Sequence, residues 1–84
     1  MEQRIGYVTH YYTRLGVAVL ALRDALQVGD AVHILGHTTN FTQQVESLEI
    51  EHQPVQSVRP GAEVALKVVD KVRQGDRVYK ISEA

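Results

Sequence analysis

The chain contains no cysteine, which excludes a disulfide framework and any thiolate chemistry. No basic stretch followed by an apolar one opens the sequence, so we expect no signal peptide. The longest apolar run, Val17–Leu22, is far shorter than the roughly 20 residues that a bilayer-spanning helix needs. The net charge is only −1, which provides no overall attraction to nucleic acid or to an anionic membrane. Together these absences predict a cytoplasmic protein without membrane contact.

The composition of the chain is that of one small globular domain, which we expect to span residues 1–84. Hydrophobic residues make up 44% and charged residues 23% of the chain, which are ordinary values for such a domain. The charge is unevenly distributed, because residues 31–55 hold three glutamates and no Lys or Arg. Residues 56–84 hold six Lys or Arg against four acids. The second half therefore has the composition to form a basic patch, or simply a mixed and solvated surface.

One glycine-based pattern occurs three times, each time before an apolar run. The three copies are Gly29-Asp30-Ala31-Val32, Gly61-Ala62-Glu63-Val64 and Gly75-Asp76-Arg77-Val78. Glycine accepts the backbone conformation of a tight turn, and aspartate closes the turn by accepting hydrogen bonds from nearby amides. The pattern predicts three turns that each lead into a β-strand.

The stretches between these turns favour strands. We predict six, over residues 5–12, 17–22, 31–35, 41–50, 62–69 and 77–81. The fourth breaks regular alternation, which predicts a bulge or sharp bend near Glu46 and Ser47. In three places, around Leu22, Val45 and Val68, the apolar residues also have the spacing of a helix. Periodicity alone does not distinguish helix from strand in segments this short. The segment lengths and the valine content favour the strands.

These strands predict an all-β fold, a small closed six-stranded Greek-key barrel. Closure would remove the exposed sheet edges that otherwise invite aggregation. The predicted core is Val8, Val19, Val32, Ile34, Val45, Val64, Leu66 and Val68. Side chains would fill such a small interior, so we expect no deep pocket and place function on the surface or in the loops.

The sequence offers no convincing catalytic or metal site. The four histidines, His10, His33, His37 and His52, lack the spacing of zinc ligands apart from the loose pair His33 and His37. No serine has a nucleophile-elbow context, and Glu49 and Glu51 are more typical of a solvated strand face. We therefore expect no catalytic residues, no metal and no cofactor.

Aromatic and basic residues suggest a possible RNA surface. Tyr11 and Tyr12 lie beside Arg14 at a predicted hairpin, and Lys71, Arg73 and Arg77 cluster around the last connection. Surfaces that bind single-stranded nucleic acid combine cations for phosphates with aromatic faces for bases. Tyrosines in strands are also common as half-buried sheet residues, which is the competing interpretation.

Several stretches resemble, in order, the second domain of translational GTPases, the barrel found in elongation factor Tu and bacterial initiation factors. They are residues 16–19, 26–34, 42–48, 58–64 and 73–78, with Leu26-Gln27-Val28-Gly29-Asp30 similar to that family's glycine-aspartate turn. The chain lacks the phosphate-binding Gly-x-x-x-x-Gly-Lys-Ser/Thr loop, so GTP hydrolysis by that mechanism is excluded. Residues 37–42 and 45–47 also resemble small standalone translation-factor-like proteins and the barrel at the C-terminus of some collagenase-like peptidases.

The resemblance implies a standalone, non-catalytic translation-factor-like module. Its partner would be transfer RNA, ribosomal RNA or another part of the translation apparatus, contacted through Tyr11, Tyr12, Arg14, Lys71, Arg73 and Arg77. The alternative is a protein-interaction module that docks onto a partner enzyme, such as a collagenase-like peptidase.

Overall fold

The computed structural model describes residues 1–82, which form an all-β fold with no helix among them. The ten strands are Glu2–Tyr12 (β1), Val17–Leu22 (β2), Leu26–Gln27 (β3), Ala31–Leu35 (β4), Asn40–Gln44 (β5), Leu48–Ile50 (β6), Gln53–Val55 (β7), Ser57–Val58 (β8), Glu63–Lys67 (β9) and Arg77–Ile81 (β10). The all-β prediction is confirmed, and the three helical alternatives are wrong. The predicted strands over residues 17–22, 31–35 and 77–81 match β2, β4 and β10.

Eight strands form one antiparallel sheet in the order β5-β4-β10-β1-β2-β9-β6-β7. The short strands β3 and β8 pair with each other in a separate two-stranded sheet. β1 is the longest strand and lies at the centre, where it pairs with β10 on one side and β2 on the other. The long central strand thus joins the two halves of the large sheet.

The predicted closure into a barrel is wrong, because the sheet ends in two free edges, β5 and β7. The sheet nevertheless curls around one core. Strands β5 and β9 do not pair through their backbones, and a side chain of β5 bridges the gap between them. The Gln43 side chain on β5 donates to the carbonyl of Lys67 at 2.9 Å and accepts from the amide of Val69 at 2.8 Å. An amide side chain therefore links β5 to the end of β9 in place of a strand ladder.

The core follows the period-two alternation of the strands. Its buried apolar residues are Ile5, Val8, Ala18, Leu20, Leu22, Leu26, Val32, Ile34, Val45, Leu48, Val58, Val64, Leu66, Val68, Val72 and Val78. Seven of the eight predicted core residues are among them. Val19 is the exception, because Ala18, Leu20 and Leu22 point into the core and turn Val19 to the outer face of β2.

The glycine turns form as predicted. Gly29, Gly61 and Gly75 have φ values of 98°, 90° and 92°, a conformation that residues with a β-carbon rarely adopt. In the first and third turns an aspartate carboxylate accepts from the amide three residues earlier, Asp30 from Gln27 at 3.0 Å and Asp76 from Arg73 at 2.8 Å. These carboxylates close the turns that lead into β4 and β10.

The bend expected near Glu46 and Ser47 is a break in the pairing, since residues 45–47 separate β5 from β6. Bulges occur instead in β1, where the register shifts between Arg4 and Gly6 against β10 and again between Val8 and His10 against β2. A bulge bends a strand and increases its twist. Two bulges in the central strand therefore help the open sheet to curl.

Gly6 lies at the first bulge, directly against β2. A β-carbon at this position would clash with the carbonyl oxygen of Ala21, which is backbone and has little freedom to move. We expect Gly6→Ala to lower the free energy of unfolding by about 1–3 kcal/mol, the usual range for overpacking. Urea unfolding followed by circular dichroism measures the change. The exposed Gln44→Ala on β5 is the control, and equal stability of the two variants would contradict the prediction.

Candidate docking surface

The outer face of the sheet carries an apolar strip over β2 and β9. In the register of the sheet, Val19 lies between His10 on β1 and Ala65 on β9, and Ala65 in turn lies opposite Glu49 on β6. Val17 lies two residues before Val19 on β2 and continues the strip on the same face. β2 therefore has apolar side chains on both faces, one set in the core and the other set facing outward.

An open groove of about 640 Å³, here called the outer groove, lies over this strip. Its lining residues are Tyr12, Leu15, Val17, Val19, Glu49, Ile50, Glu51, His52, Ala62, Glu63, Val64 and Ala65. Leu15 is 68% exposed at the β1–β2 turn, and Tyr12 is 47% exposed beside it. The ring of Tyr12 meets His10 edge to face, with 4.4 Å between ring centroids. One end of the groove is thus formed by large, exposed apolar side chains.

The β6–β7 hairpin forms the opposite wall with a two-residue turn. Glu51 and His52 have φ values of 50° and 65°, so both central residues are left-handed, as in a type I′ turn. Such turns favour Asn-Gly, because residues with larger side chains are disfavoured in this conformation by roughly 1–2 kcal/mol each. Glu51 and His52 therefore occupy strained backbone positions beside the groove, where Asn and Gly would be favoured.

The outer groove is lined by three carboxylates and by no Lys or Arg side chain. Glu49, Glu51 and Glu63 are exposed, and within residues 1–82 no hydrogen bond or ion pair engages their carboxylates. An apolar surface with unpaired negative charge at its margin is a candidate contact site for another molecule.

Three of the predicted RNA-contact residues come together on another surface. Tyr11, Lys71 and Arg73 line a second groove of about 450 Å³, together with Phe41 and Asp70. Tyr11 is half-buried against the core, whereas Lys71 and Arg73 are exposed.

The other three predicted residues lie apart from this second groove. Tyr12 lines the outer groove, and Arg14 is exposed in the turn between β1 and β2. Arg77 is exposed on β10, opposite Tyr7 on β1. No direct test bears on the six residues as a site, so their role stays a prediction.

Sequence reasoning missed the outer groove, although one signal for it was present. Val17–Leu22 is apolar at every position, which is unusual for an antiparallel strand with one solvated face. A strand of this kind indicates that its second face is also partly shielded, here by the side chains that line the outer groove.

His33 forms the single ion pair found within the described residues, on the outer face of β4. Its Nδ1 lies 2.8 Å from Oε1 of Glu2, and its Nε2 lies 2.6 Å from Oδ1 of Asn40. The Glu2 carboxylate foremost, and then the Asn40 side chain, raise the pKa of His33 above its usual value, because both hydrogen bonds favour the imidazolium. No group of three or more potential metal ligands lies close together in residues 1–82.

The relatives of this chain are proteins named as proteases. No protein-family model matches the chain. An uncharacterized protease of Methanocaldococcus jannaschii is 38% identical over 80 residues, which are 94% of this chain and 20% of that protein. A collagenase of Porphyromonas gingivalis is 33% identical over 81 residues, which are 94% of this chain and 22% of that protein. The chain thus spans about a fifth of the length of the curated relatives it matches.

A solved structure shares the fold over nearly the whole chain. It is the C-terminal domain of a proposed U32 peptidase of Geobacillus thermoleovorans, with a TM-score of 0.88 and 26% identity over 95% of this chain and 93% of that one. The selenomethionine variant of the same domain gives a TM-score of 0.85 over 90% of this chain. The chain is therefore similar to the C-terminal domain of that U32 peptidase and to about a fifth of proteins named as a protease and a collagenase.

These relatives overturn the resemblance to the second domain of translational GTPases. They are named as proteases, collagenases and a U32 peptidase, and the matching structure is a peptidase C-terminal domain. The interpretation as a standalone translation factor is wrong, and nothing supports RNA or the ribosome as a partner. The physical reason for the error is that the glycine-aspartate turns follow from local turn chemistry, which recurs in unrelated β-folds.

Within residues 1–82 there is no helix that is long and apolar enough to cross a membrane.

The strained hairpin beside the outer groove gives a stability prediction. Replacing Glu51 and His52 by Asn and Gly supplies the residues that a type I′ turn favours. We expect this double variant to raise the free energy of unfolding by about 1 kcal/mol, because the left-handed backbone is then unstrained. Thermal and urea unfolding measure the gain. Serine at both positions is the control without this preference, and a double variant no more stable than that control would contradict the prediction.

The His33 contacts predict a pH dependence of stability. Because the pKa of His33 is raised on folding, its contribution is complete below the unfolded pKa of about 6.5 and is lost as the pH rises through the folded pKa. We expect His33→Gln to reduce this loss in urea titrations across that range, and Glu2→Gln to weaken it. If the free energy of unfolding of His33→Gln depended on pH as that of the unaltered chain does, the contacts of His33 with Glu2 and Asn40 would not contribute to the pH dependence.

Proposed function

We propose that this chain is a non-catalytic docking domain of a peptidase-like protein and that it binds the peptidase through the outer groove. The observation that carries the proposal is the apolar strip of Val17, Val19 and Ala65 on the outer face of the sheet. An exposed apolar surface of this kind is typical of a protein contact site. A cytoplasmic location stays a prediction from the sequence.

The similarity to peptidase C-terminal domains supports this proposal. The chain matches only about a fifth of each curated relative, so about four-fifths of those proteins has no counterpart in it. In those proteins a domain like this one is joined to a much larger body. We propose that proteolysis, where it occurs, belongs to that body and that the 84-residue chain provides a contact surface.

Site-specific cross-linking tests the proposal. A photo-reactive phenylalanine analogue at Leu15 places the probe at the exposed apolar end of the groove. The same analogue at Gln44 places it on the exposed edge strand β5, outside the groove. We expect the Leu15 probe, and not the Gln44 probe, to cross-link to a peptidase segment that mass spectrometry identifies. Cross-links to RNA alone, or to no peptidase at all, would overturn the proposal.

A matched pair of valines tests the same contact by affinity. Full burial of an exposed valine contributes about 1.5–3 kcal/mol, and Val19 is already partly buried in the free chain, so Val19→Ser should weaken binding to the peptidase about two- to fivefold. Val69→Ser removes the same atoms from a side chain that is 73% exposed and lies outside the groove. We expect Val69→Ser to bind like the unaltered chain. Equal losses in the two variants would argue against a contact through the groove.

A further inference from the structure

We infer that the outer groove accepts a segment of the peptidase in which apolar residues are followed by a cluster of Lys or Arg side chains. The inference rests on the proposed docking function and names the chemistry of its partner. About four-fifths of each curated relative lies outside the part that matches this chain, and that body is the source of the segment.

The two ends of the groove differ in chemistry, as the sheet register shows. Val17 lies opposite Lys67 at one end of β9, whereas Ala21 lies opposite Glu63 at the other end. β6 runs antiparallel to β9 with Glu49 opposite Ala65, so Glu51 follows toward the Glu63 end. The carboxylates are therefore concentrated toward one end of the groove, and Tyr12 and Leu15 form the other end.

The carboxylates are available to an incoming cation. Within residues 1–82, Glu49, Glu51 and Glu63 accept no hydrogen bond through their side chains and form no ion pair. Removal of water from the apolar strip on binding would lower the local dielectric and strengthen any charge pair at its margin. The same three charges disfavour a phosphate backbone, which argues against a nucleic acid in this groove.

The floor of the groove suits alternating apolar side chains. Val17 and Val19 lie two residues apart on one strand, a spacing of about 6.6–6.8 Å. The small side chain of Ala65, which lies opposite Val19, lowers the floor next to that valine. A bound segment with apolar side chains at every second position would match this spacing, with its cations continuing toward Glu51 and Glu63.

Synthetic peptides test this chemistry directly on the 84-residue chain. The probe is a short blocked peptide with alternating valines followed by three lysines. The first control is the same peptide with acetylated lysines, which keeps the length and removes the charge, and the second replaces the lysines by glutamates. Titration calorimetry gives the affinities at low and at physiological ionic strength, and NMR shift mapping locates the site.

We expect the lysine peptide to shift resonances of Val19 and Ala65 and to bind about tenfold more tightly than its acetylated form. The triple variant Glu49→Gln, Glu51→Gln and Glu63→Gln should abolish that difference. Glu46→Gln, an exposed acid outside the groove, should preserve it. Higher ionic strength should weaken the binding of the lysine peptide and leave the acetylated peptide unaffected.

The outcomes separate this inference from the docking proposal. Equal affinity of the lysine and acetylated peptides, or no effect of the triple variant, overturns the inference. The docking proposal then stands if Leu15 still cross-links to a peptidase and Val19→Ser still weakens that contact. A groove that binds neither peptide and cross-links only to a second copy of the chain overturns both.

Discussion

The structure depends on one constraint, which is that the eight-stranded sheet has to curl around a small hydrophobic core, which Leu26 and Val58 of the short β3–β8 pair complete. The long central strand β1 meets this constraint by bending at two bulges, and Gly6 permits the close approach of β2 at the first of them. The curled sheet does not complete its hydrogen-bond ladder. The amide group of Gln43 joins β5 to the backbone at the end of β9, so a single polar side chain substitutes for strand pairing.

The outer groove follows from the same curvature. The sheet turns one face of β2 into the core and presents the other, with Val17 and Val19, to the outside. The β6–β7 hairpin then rises beside this strip and places Glu51 and His52 at its margin in a strained turn. The fold thus combines a buried apolar core with one apolar outer surface, and the proposed function depends on that surface.

The local turns and most strands could be predicted from the sequence. Gly29 and Gly75 have positive φ values, which glycine adopts readily, and each glycine stands directly before an apolar run. The sequence did not predict which side chains of β2 face the core. Every residue from 17 to 22 is apolar, so there is no alternation of apolar and polar residues to distinguish the two faces. The two-residue strand Leu26–Gln27 is too short for any periodicity. The open sheet was also beyond prediction, because local patterns do not show whether β5 pairs with a distant strand or, as here, contacts Lys67 and Val69 only through the Gln43 side chain. For the candidate site, the sequence named Tyr11 and the pair Lys71 and Arg73 in two separate clusters, and only the structure brings them to one groove. The sequence also gave no order of strands from which the outer groove could be assembled.

The edge strand β7 contains Pro54, which pairs with Glu49 next to the closing Ile50–Gln53 pair of the hairpin. In a two-residue hairpin the closing pair is hydrogen-bonded and the next pair is not, so the nitrogen of Pro54 faces the open edge without a hydrogen to donate. On the opposite edge, the Gln43 side chain is already committed to the backbone. Pro54 blunts the β7 margin against growth of the sheet into an intermolecular one, so addition of a strand there is disfavoured and the broad outer face is left for the proposed contact.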